Sequence, residues 1–193
     1  MNYKLTAKKM AGHSKWKQIK HKKGAADAKR GQLFSKRVRE IMVAVRTGGG
    51  PDPTSNTRLK AALEHARADG LPKDNIERAI TRASGGGDGA DLTEVLCGAI
   101  GPGGIAILIE AITDNKNRTL AEIKHLMGER GGKFVEPSSV MWNFQKRDTP
   151  EGQEYTALAP MQVSNEDKTK LETLLDALAE HDDVQEVYTN MSV

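Results

Sequence analysis

The fold is decided by EVLCGAIGPGGIAILIEA, residues 94–111. Two aliphatic runs, 94–99 and 105–111, flank the sequence Gly-Pro-Gly-Gly at residues 101–104. Pro fixes φ and Gly permits positive φ, so this sequence is typical of a tight turn. The pattern predicts two antiparallel strands joined by that turn.

Downstream of this hairpin, helical and strand patterns alternate. A helix is predicted at 119–130 because two glycines follow it, and a leucine-rich helix is predicted after the Ser164 to Asp167 capping cluster. The remaining strands are predicted at 140–144, 155–163 and 184–188. Counted from residue 105, the order β-α-β-β-α-β predicts a ferredoxin-like domain with 94–99 as an extra N-terminal strand.

Upstream of the hairpin the period is helical. An amphipathic helix is indicated by apolar residues at Phe34, Val38, Ile41 and Val45. Two further helices are predicted between the glycine runs at 48–50 and 85–87. We therefore predict an α+β protein with three parts: a basic flexible arm at 1–19, a three-helix domain at 20–87 and a ferredoxin-like domain at 88–193.

The charge of the chain is strongly polarised. Residues 1–50 carry fourteen Lys and Arg against two acids, Asp27 and Glu40, a net charge of +12 where the whole chain has +3. Residues 148–193 are acidic. A basic segment of this density favours a polyanion partner, and Trp16 within it offers a face for stacking an unpaired base.

The candidate nucleic-acid contacts are the polar, cationic and aromatic residues of this segment: His13, Ser14, Lys15, Trp16, Lys17, Lys20, His21, Lys22, Lys23, Lys29, Arg30, Lys36 and Arg37. The alternative is that Trp16 and Ile19 pack the segment onto the helical domain, with the lysines as a solvated face. The concentration of charge in 50 residues favours nucleic-acid binding.

A second candidate is an anion site in residues 114–119. It would consist of the free amides at a helix N-terminus together with Asn115, Asn117, Arg118 and Thr119. An ordinary turn and N-cap explain the same residues equally well.

Catalytic and metal sites are not indicated. No Ser lies in a G-x-S-x-G elbow, the glycine runs lack a Walker-type ending, and His13 and His21 have no Cys partners. The single Cys97 excludes an internal disulfide and a Cys-pair zinc site. The pair Asp182 and Asp183 is predicted to lie in a solvated loop. We expect no enzymatic activity, no cofactor, no metal and no small-molecule substrate.

Location and membrane association follow from the same composition. No apolar run reaches the roughly 18 residues needed to span a bilayer, and the basic start has no apolar segment of a secretory signal. We expect a cytoplasmic protein, or a mitochondrial matrix protein if the source is eukaryotic, with no membrane partner.

Six motifs are spread along the chain: MAGHSKWKQIKHKK at 10–23, DAKRGQLFSK at 27–36, LPKDNIERAI at 71–80, GPGG at 101–104, DNKNRT at 114–119 and DDVQEVYTN at 182–190. Together they closely resemble the YebC/PmpR family. The resemblance implies a non-enzymatic regulator of gene expression. Bacterial members are described as promoter-binding transcriptional regulators and have been tied to stalled ribosomes, whereas mitochondrial relatives are translational activators.

The implied partners are therefore promoter DNA, or structured or ribosomal RNA and the ribosome itself. No recognition helix with base-reading side chains is evident, whereas a Lys-rich arm with Trp suits folded RNA. The alternative function is a protein-interaction module that docks through its acidic ferredoxin-like half.

Two features depart from the family pattern. Residues 1–9 precede Met10, which resembles the usual family start. Family members also carry a third domain in the gap that residues 145–154 fill here, and ten residues suffice for a hairpin loop but not for a domain. The short gap therefore predicts an uninterrupted ferredoxin-like half, unlike that of the family members.

Overall fold

The computed structural model describes residues 26–85, 91–149 and 152–192, and its first part is a bundle of three helices. These are α1 (Ala26–Thr47), α2 (Thr57–Ala68) and α3 (Lys73–Ala83). They share one apolar core, to which α1 contributes the predicted stripe. No helix in the described ranges is long and apolar enough to cross a membrane. The three predicted helices are confirmed.

Asn56 fixes the connection between α1 and α2. Its buried side chain accepts a hydrogen bond from the Leu59 N–H at 2.8 Å and so caps α2. Its amide group donates to the carbonyl oxygens of Ala44 at 2.8 Å and Gly50 at 2.7 Å. A Cβ atom on Gly48 would lie 2.6 Å from the Ala44 oxygen, so this tight turn requires glycine.

Strands form a main sheet and a separate hairpin. The strands of the described residues are β1 (Thr93–Ile100), β2 (Ala106–Thr113), β3 (Lys133–Val135), β4 (Phe144–Thr149), β5 (Gly152–Ala157) and β6 (Val184–Thr189). The main sheet has the order β3-β1-β2-β6 with antiparallel neighbours. Gly103 and Gly104, in the turn between β1 and β2, have positive φ. The predicted hairpin is confirmed.

Two helices, α4 (Lys116–Glu129) and α6 (Asn165–Glu180), cover one face of the main sheet. Ile107 and Ile109 of β2 pack there against Ile123 of α4 and Leu174 of α6, all fully buried. This arrangement confirms the α+β class and the two helices expected on one sheet face.

The opposite face is covered by the short helix α5 (Ser138–Met141) and the β4–β5 hairpin. Val140 and Phe144 pack against Leu108 of β2. The rings of Tyr155 and Tyr188 meet edge to face with centroids 5.3 Å apart. Because both faces are covered, β2 is buried along almost its entire length.

Two strand predictions need correction. Residues 140–144 were expected to be a strand, but Val140 and Met141 belong to α5, and β4 begins at Phe144. The apolar residues there fill the core from a helical turn, which periodicity over so few residues cannot distinguish from a strand. The strand predicted at 155–163 ends at Ala157.

The sheet also differs in which strand occupies its centre. In a ferredoxin-like sheet, the strand predicted at 155–163 would lie between the strands predicted at 105–111 and 140–144. In the structure, β1, which was predicted to be an extra strand, lies between β2 and β3. Strands β4 and β5 pair with each other. Residues 145–154, predicted as a short loop, lie mostly in the β4–β5 hairpin.

Candidate nucleic-acid interface

The predicted nucleic-acid contacts divide into two groups. His13, Ser14, Lys15, Trp16, Lys17, Lys20, His21, Lys22 and Lys23 lie outside the described residues. Lys29, Arg30, Lys36 and Arg37 lie on α1. Only this second group can be placed in the structure.

One face of α1 docks onto the C-terminal end of α6. The docking residues of α1 are Lys29, Gln32, Lys36 and Arg39, whose spacing of three and four positions puts them on one side of a helix. Lys36 Nζ donates to the Ala179 carbonyl at 2.7 Å, and Gln32 Nε2 donates to the Glu180 carbonyl at 3.4 Å. Carbonyls in the last turn of a helix have no intrahelical partner, so these donors satisfy them. We call this contact, between those four residues and residues 179–183, the α1–α6 latch.

Lys36 is the buried centre of the latch. Its exposure is 3%, and burial lowers its pKa to about 8, an effect that the carboxylates of Glu186 and Asp182 oppose. The prediction that Lys36 contacts a phosphate is therefore corrected, because its ammonium group is enclosed and already bonded to Ala179.

Arg37 is likewise committed to internal contacts. Its guanidinium pairs with Glu40 at 2.6 Å and with Asp69, which follows α2, at 2.7 Å. Burial would raise the pKa of Glu40, but hydrogen bonds from His65 and the charge of Arg37 hold it below its usual range. The predicted phosphate contact by Arg37 is corrected for the same reason as that of Lys36.

Asp183 collects donors from both halves of the protein. It accepts hydrogen bonds from Thr119 Oγ1 at 2.6 Å and Arg118 at 3.0 Å, and pairs with Arg39 of the latch at 3.3 Å. Burial alone would raise its pKa, yet the bonds from Thr119 and Arg118 hold the pKa below its usual value. The expectation of a solvated loop was wrong for Asp183, which is 3% exposed.

The residues of the candidate anion site serve α4 and Asp183. Asn115 caps α4 by accepting from the Arg118 N–H at 3.1 Å. The Arg118 side chain also pairs with Asp114 at 2.9 Å, and Asn117 lies exposed in the first turn of α4. An anion at this helix N-terminus would have to compete with the carboxylates of Asp114 and Asp183 for the Arg118 guanidinium.

A potential metal cluster adjoins the same network. Glu122, His181 and Asp183 place one ligand atom each within 4.8 Å of one another. Arg118 and Arg39 already pair with the Asp183 carboxylate, and their positive charges oppose a cation there. The cluster is best explained as an ion-pair network joining α4, α6 and β6.

Exposed cations remain on the helical domain. Arg30 lies over the Phe34 ring, 5.4 Å from its centroid. Lys60 and Arg67 of α2 and Arg78 of α3 are exposed. Residues 26–85 contain twelve Lys and Arg against seven acids, whereas residues 91–193 contain nine against eighteen. The helical domain thus continues the positive charge of the basic segment before it.

The latch could be inferred from sequence only in part. The positions 29, 32, 36 and 39 lie on one helical face, which sequence spacing shows. Their acceptors lie more than 140 positions away and include main-chain carbonyls, for which no residue type is diagnostic. Asp183 gives an equally weak signal because acidic pairs usually lie in solvated loops.

Two family profiles match nearly the whole described chain. The profile of the TACO1/YebC protein N-terminal domain matches residues 14–86. The profile of the TACO1/YebC second and third domain matches residues 92–151 and 148–191. These two segments meet at the β4–β5 hairpin, where the family's further domain was expected from the resemblance.

The chain is also similar to individual proteins along much of its length. A probable transcriptional regulatory protein of Petrotoga mobilis is 52% identical over 138 residues, which cover 72% of this chain and 55% of that protein. One of the same name from Chloroherpeton thalassium is 37% identical over 241 aligned residues, covering 95% of this chain and 96% of that protein. The chain thus spans little more than half the length of the Petrotoga relative.

A solved structure shares the fold. The crystal structure of a conserved hypothetical protein from Aquifex aeolicus superimposes with a TM-score of 0.81 at 32% identity, covering 93% of this chain and 97% of that one. With helical and α+β parts both matched by profile, sequence and structure, the chain belongs to the TACO1/YebC family.

Proposed function

We propose that this protein regulates gene expression by binding nucleic acid through the basic segment that leads into α1. The observation that carries the proposal is the latch. It fixes α1, which follows the basic segment in sequence, to the acidic half, and the helical domain has a net positive charge like that segment. The naming of relatives as probable transcriptional regulatory proteins supports a regulatory role.

We exclude Lys36 and Arg37 from the proposed contacts because both side chains are bonded within the protein. The proposed contacts are the arm residues together with exposed cations of the helical domain: His13, Ser14, Lys15, Trp16, Lys17, Lys20, His21, Lys22, Lys23, Lys29, Arg30, Lys60 and Arg67. Lys29 stays in the set because its side chain is 57% exposed despite its contact with Glu180.

We propose that the protein acts by binding and not by catalysis. Cys97 is fully buried within the sheet, and burial raises the pKa of its thiol to about 11. A buried thiol of this kind is a poor nucleophile. In the Glu122, His181 and Asp183 cluster, Asp183 pairs with Arg118 and Arg39, and His181 contacts Glu122.

DNA and RNA share the phosphodiester groups that a basic arm recognises, so binding of both should be measured. The names of relatives favour promoter DNA, whereas a Lys-rich arm with Trp favours structured RNA. Co-sedimentation with ribosomes, with and without RNase, distinguishes ribosome binding. A shift of one promoter fragment that survives excess competitor DNA would favour promoter recognition.

Salt dependence tests the proposal itself. Binding of duplex DNA and of a hairpin RNA is measured by fluorescence anisotropy across a salt series. Each lost phosphate contact should reduce the slope of log K against log salt by about 0.9 for duplex DNA. The variant K20E/K22E/K23E should therefore lose most of its affinity and have a shallower slope.

The matched control is K124E/K168E/K170E, which makes the same charge change on exposed lysines of the acidic half. It should bind far better than the arm variant. A wild-type slope near zero, or equal losses in the two variants, would overturn the proposal.

A further inference from the structure

In the described ranges, the helical domain and the α+β half have separate apolar cores. Each of the three apolar clusters takes its buried residues from one half alone. Leu92, which precedes β1, packs against the helical core from the other side of the boundary. Hydrogen bonds and ion pairs join the two halves at the α1–α6 latch and beyond it. Domains joined by a polar interface generally move relative to each other, unlike domains joined by a large apolar one.

The ion pairs across this boundary have a common polarity. In each of the pairs below, the cation belongs to the helical domain and the carboxylate belongs to the α+β half. The pairs are Lys29 with Glu180 at 3.3 Å, Arg39 with Asp183 at 3.3 Å, Arg46 with Asp91 at 3.4 Å, and Arg58 with Glu94. The helical domain therefore meets the α+β half as a cationic surface meets an anionic one.

The net charges of the two halves act in the same direction. Residues 26–85 carry twelve bases against seven acids, a net charge of +5, and residues 91–193 carry nine against eighteen, a net charge of −9. Most of the paired carboxylates are open to solvent: Asp91 is fully exposed, and the side chains of Glu94 and Glu180 are 49% and 59% exposed. Salt screens attraction between exposed charges, so it should weaken this interface selectively.

The polar groups at the boundary would keep partners if the halves separated. Asp183 would retain the hydrogen bonds from Thr119 and Arg118, which belong to its own half. The carbonyls of Ala179 and Glu180 lie at the end of a helix, where water commonly satisfies such groups. Separation would therefore leave these acceptors with partners, and the apolar clusters on either side would stay intact.

We infer that the helical domain and the α+β half are two bodies held together by opposite charge, and that raised ionic strength separates them while each stays folded. The boundary is then a conformational device that responds to salt, with the ion pairs as its closing force. The inference goes beyond the proposed function and holds whether or not the arm binds nucleic acid.

Double electron–electron resonance, which measures the distance between two nitroxide labels, tests the inference in the full chain. A68C on α2 and A121C on α4 place labels at exposed positions of the two halves, and the fully buried Cys97 should stay unlabelled. Raising NaCl from about 0.1 M to about 1 M shortens the Debye length from about 10 Å to about 3 Å. The distance distribution between the labels should then lengthen and broaden. The pair A68C and T81C, both within the helical domain, is the control and should give the same distribution at both concentrations.

Charge reversal in the labelled protein provides a second measurement at low salt. R46E/R58E places glutamates opposite Asp91 and Glu94, all at exposed positions, and should give the long, broad distribution without added salt. Adding D91K/E94K restores opposite charges and should restore the short, narrow distribution. K60E/K73E makes the same charge change at exposed positions of the helical domain outside these pairs and should leave the halves together.

Identical distributions for A68C and A121C at both salt concentrations, or an unchanged distribution in R46E/R58E, would overturn the inference. A change in the control pair A68C and T81C would also overturn it, because salt would then act on the fold of the helical domain itself. These measurements contain no nucleic acid, so their failure would leave the proposed function of the arm standing.

Discussion

Lys36 of the first described helix donates to the Ala179 carbonyl at the end of the last helix, across 143 positions of sequence. This bond lies at the centre of the α1–α6 latch and ties the helical domain to the α+β half. It also divides the cations of the basic segment by role. Lys36 and Arg39 bind the protein's own carbonyls and carboxylates, whereas Lys29, Arg30 and the cations before α1 remain candidates for an external polyanion.

Replacing Lys36 with Met should destabilise the protein without affecting its affinity for nucleic acid beyond the loss of one enclosed charge. The Ala179 carbonyl would lose its donor, and a buried unsatisfied polar group costs about 1–3 kcal/mol. Urea unfolding gives the stability and a salt series gives the slope. K60M, at an exposed position of α2, should show the reverse pattern; a reduced salt slope for K36M would contradict the latch assignment.

The latch should also make stability depend on alkaline pH. Burial lowers the folded-state pKa of Lys36 to about 8 from an ordinary 10.5. Between these values the unfolded chain binds more protons, so the free energy of unfolding rises with pH there. The stability of wild type relative to K36M should increase from about pH 8 to pH 10.5, by at most about 1.4 kcal/mol per pH unit. A pH-independent difference would show that Lys36 is not enclosed.

Replacing Asp183 with Asn should lower stability by about 1–3 kcal/mol, because a buried acceptor of three donors loses its charge. The neighbouring D182N is the matched control, since the Asp182 side chain is exposed. Unfolding in urea at neutral pH compares the two. Equal effects of the two substitutions would contradict the assignment of Asp183 as the junction of α1, α4 and β6.

Glu110 should make stability depend on pH in the opposite direction, in a more acidic range. Its carboxylate accepts from the Tyr188 hydroxyl at 3.2 Å, and burial, together with nearby Glu186, raises its pKa to about 7 from 4.5. The folded state therefore binds more protons between these values, so stability falls as pH rises from about 4.5 to 7. E110Q should become more stable relative to wild type over that window and level off above it. E64Q, at an exposed position of α2, should show no such trend in urea midpoints.

Gly48→Ala should destabilise the helical domain by about 1–3 kcal/mol, because the new methyl group would overlap Asn56 and the Ala44 carbonyl. Gly31→Ala provides the contrast, since Gly31 lies in α1 with open space at its Cβ position. That change should stabilise by about 0.5–1 kcal/mol. Thermal unfolding of both variants measures the difference, and similar melting temperatures would contradict the packing at Gly48.

The parts of the fold that sequence predicts are those with local periodicity. Ile41 and Val45 mark α1, and the glycines between β1 and β2 mark the turn. Val140 misleads because a single helical turn and a strand give the same pattern over five residues. The latch and the junction at Asp183 depend on contacts between distant segments, so spacing could indicate their shared face on α1 but not what that face binds.

The latch also sets an order of events during synthesis. Residues 26–85 contribute all the buried residues of the apolar core shared by the three helices, and domains generally fold as units during synthesis. Ala179 is made 143 residues after Lys36, which at typical rates of protein synthesis is a delay of roughly 7–30 s. Throughout that interval the basic docking face of α1 is uncovered beside the ribosome that produces it. The latch therefore cannot close until Ala179 has been made, and until then Lys36 lacks the carbonyl to which it donates in the folded protein.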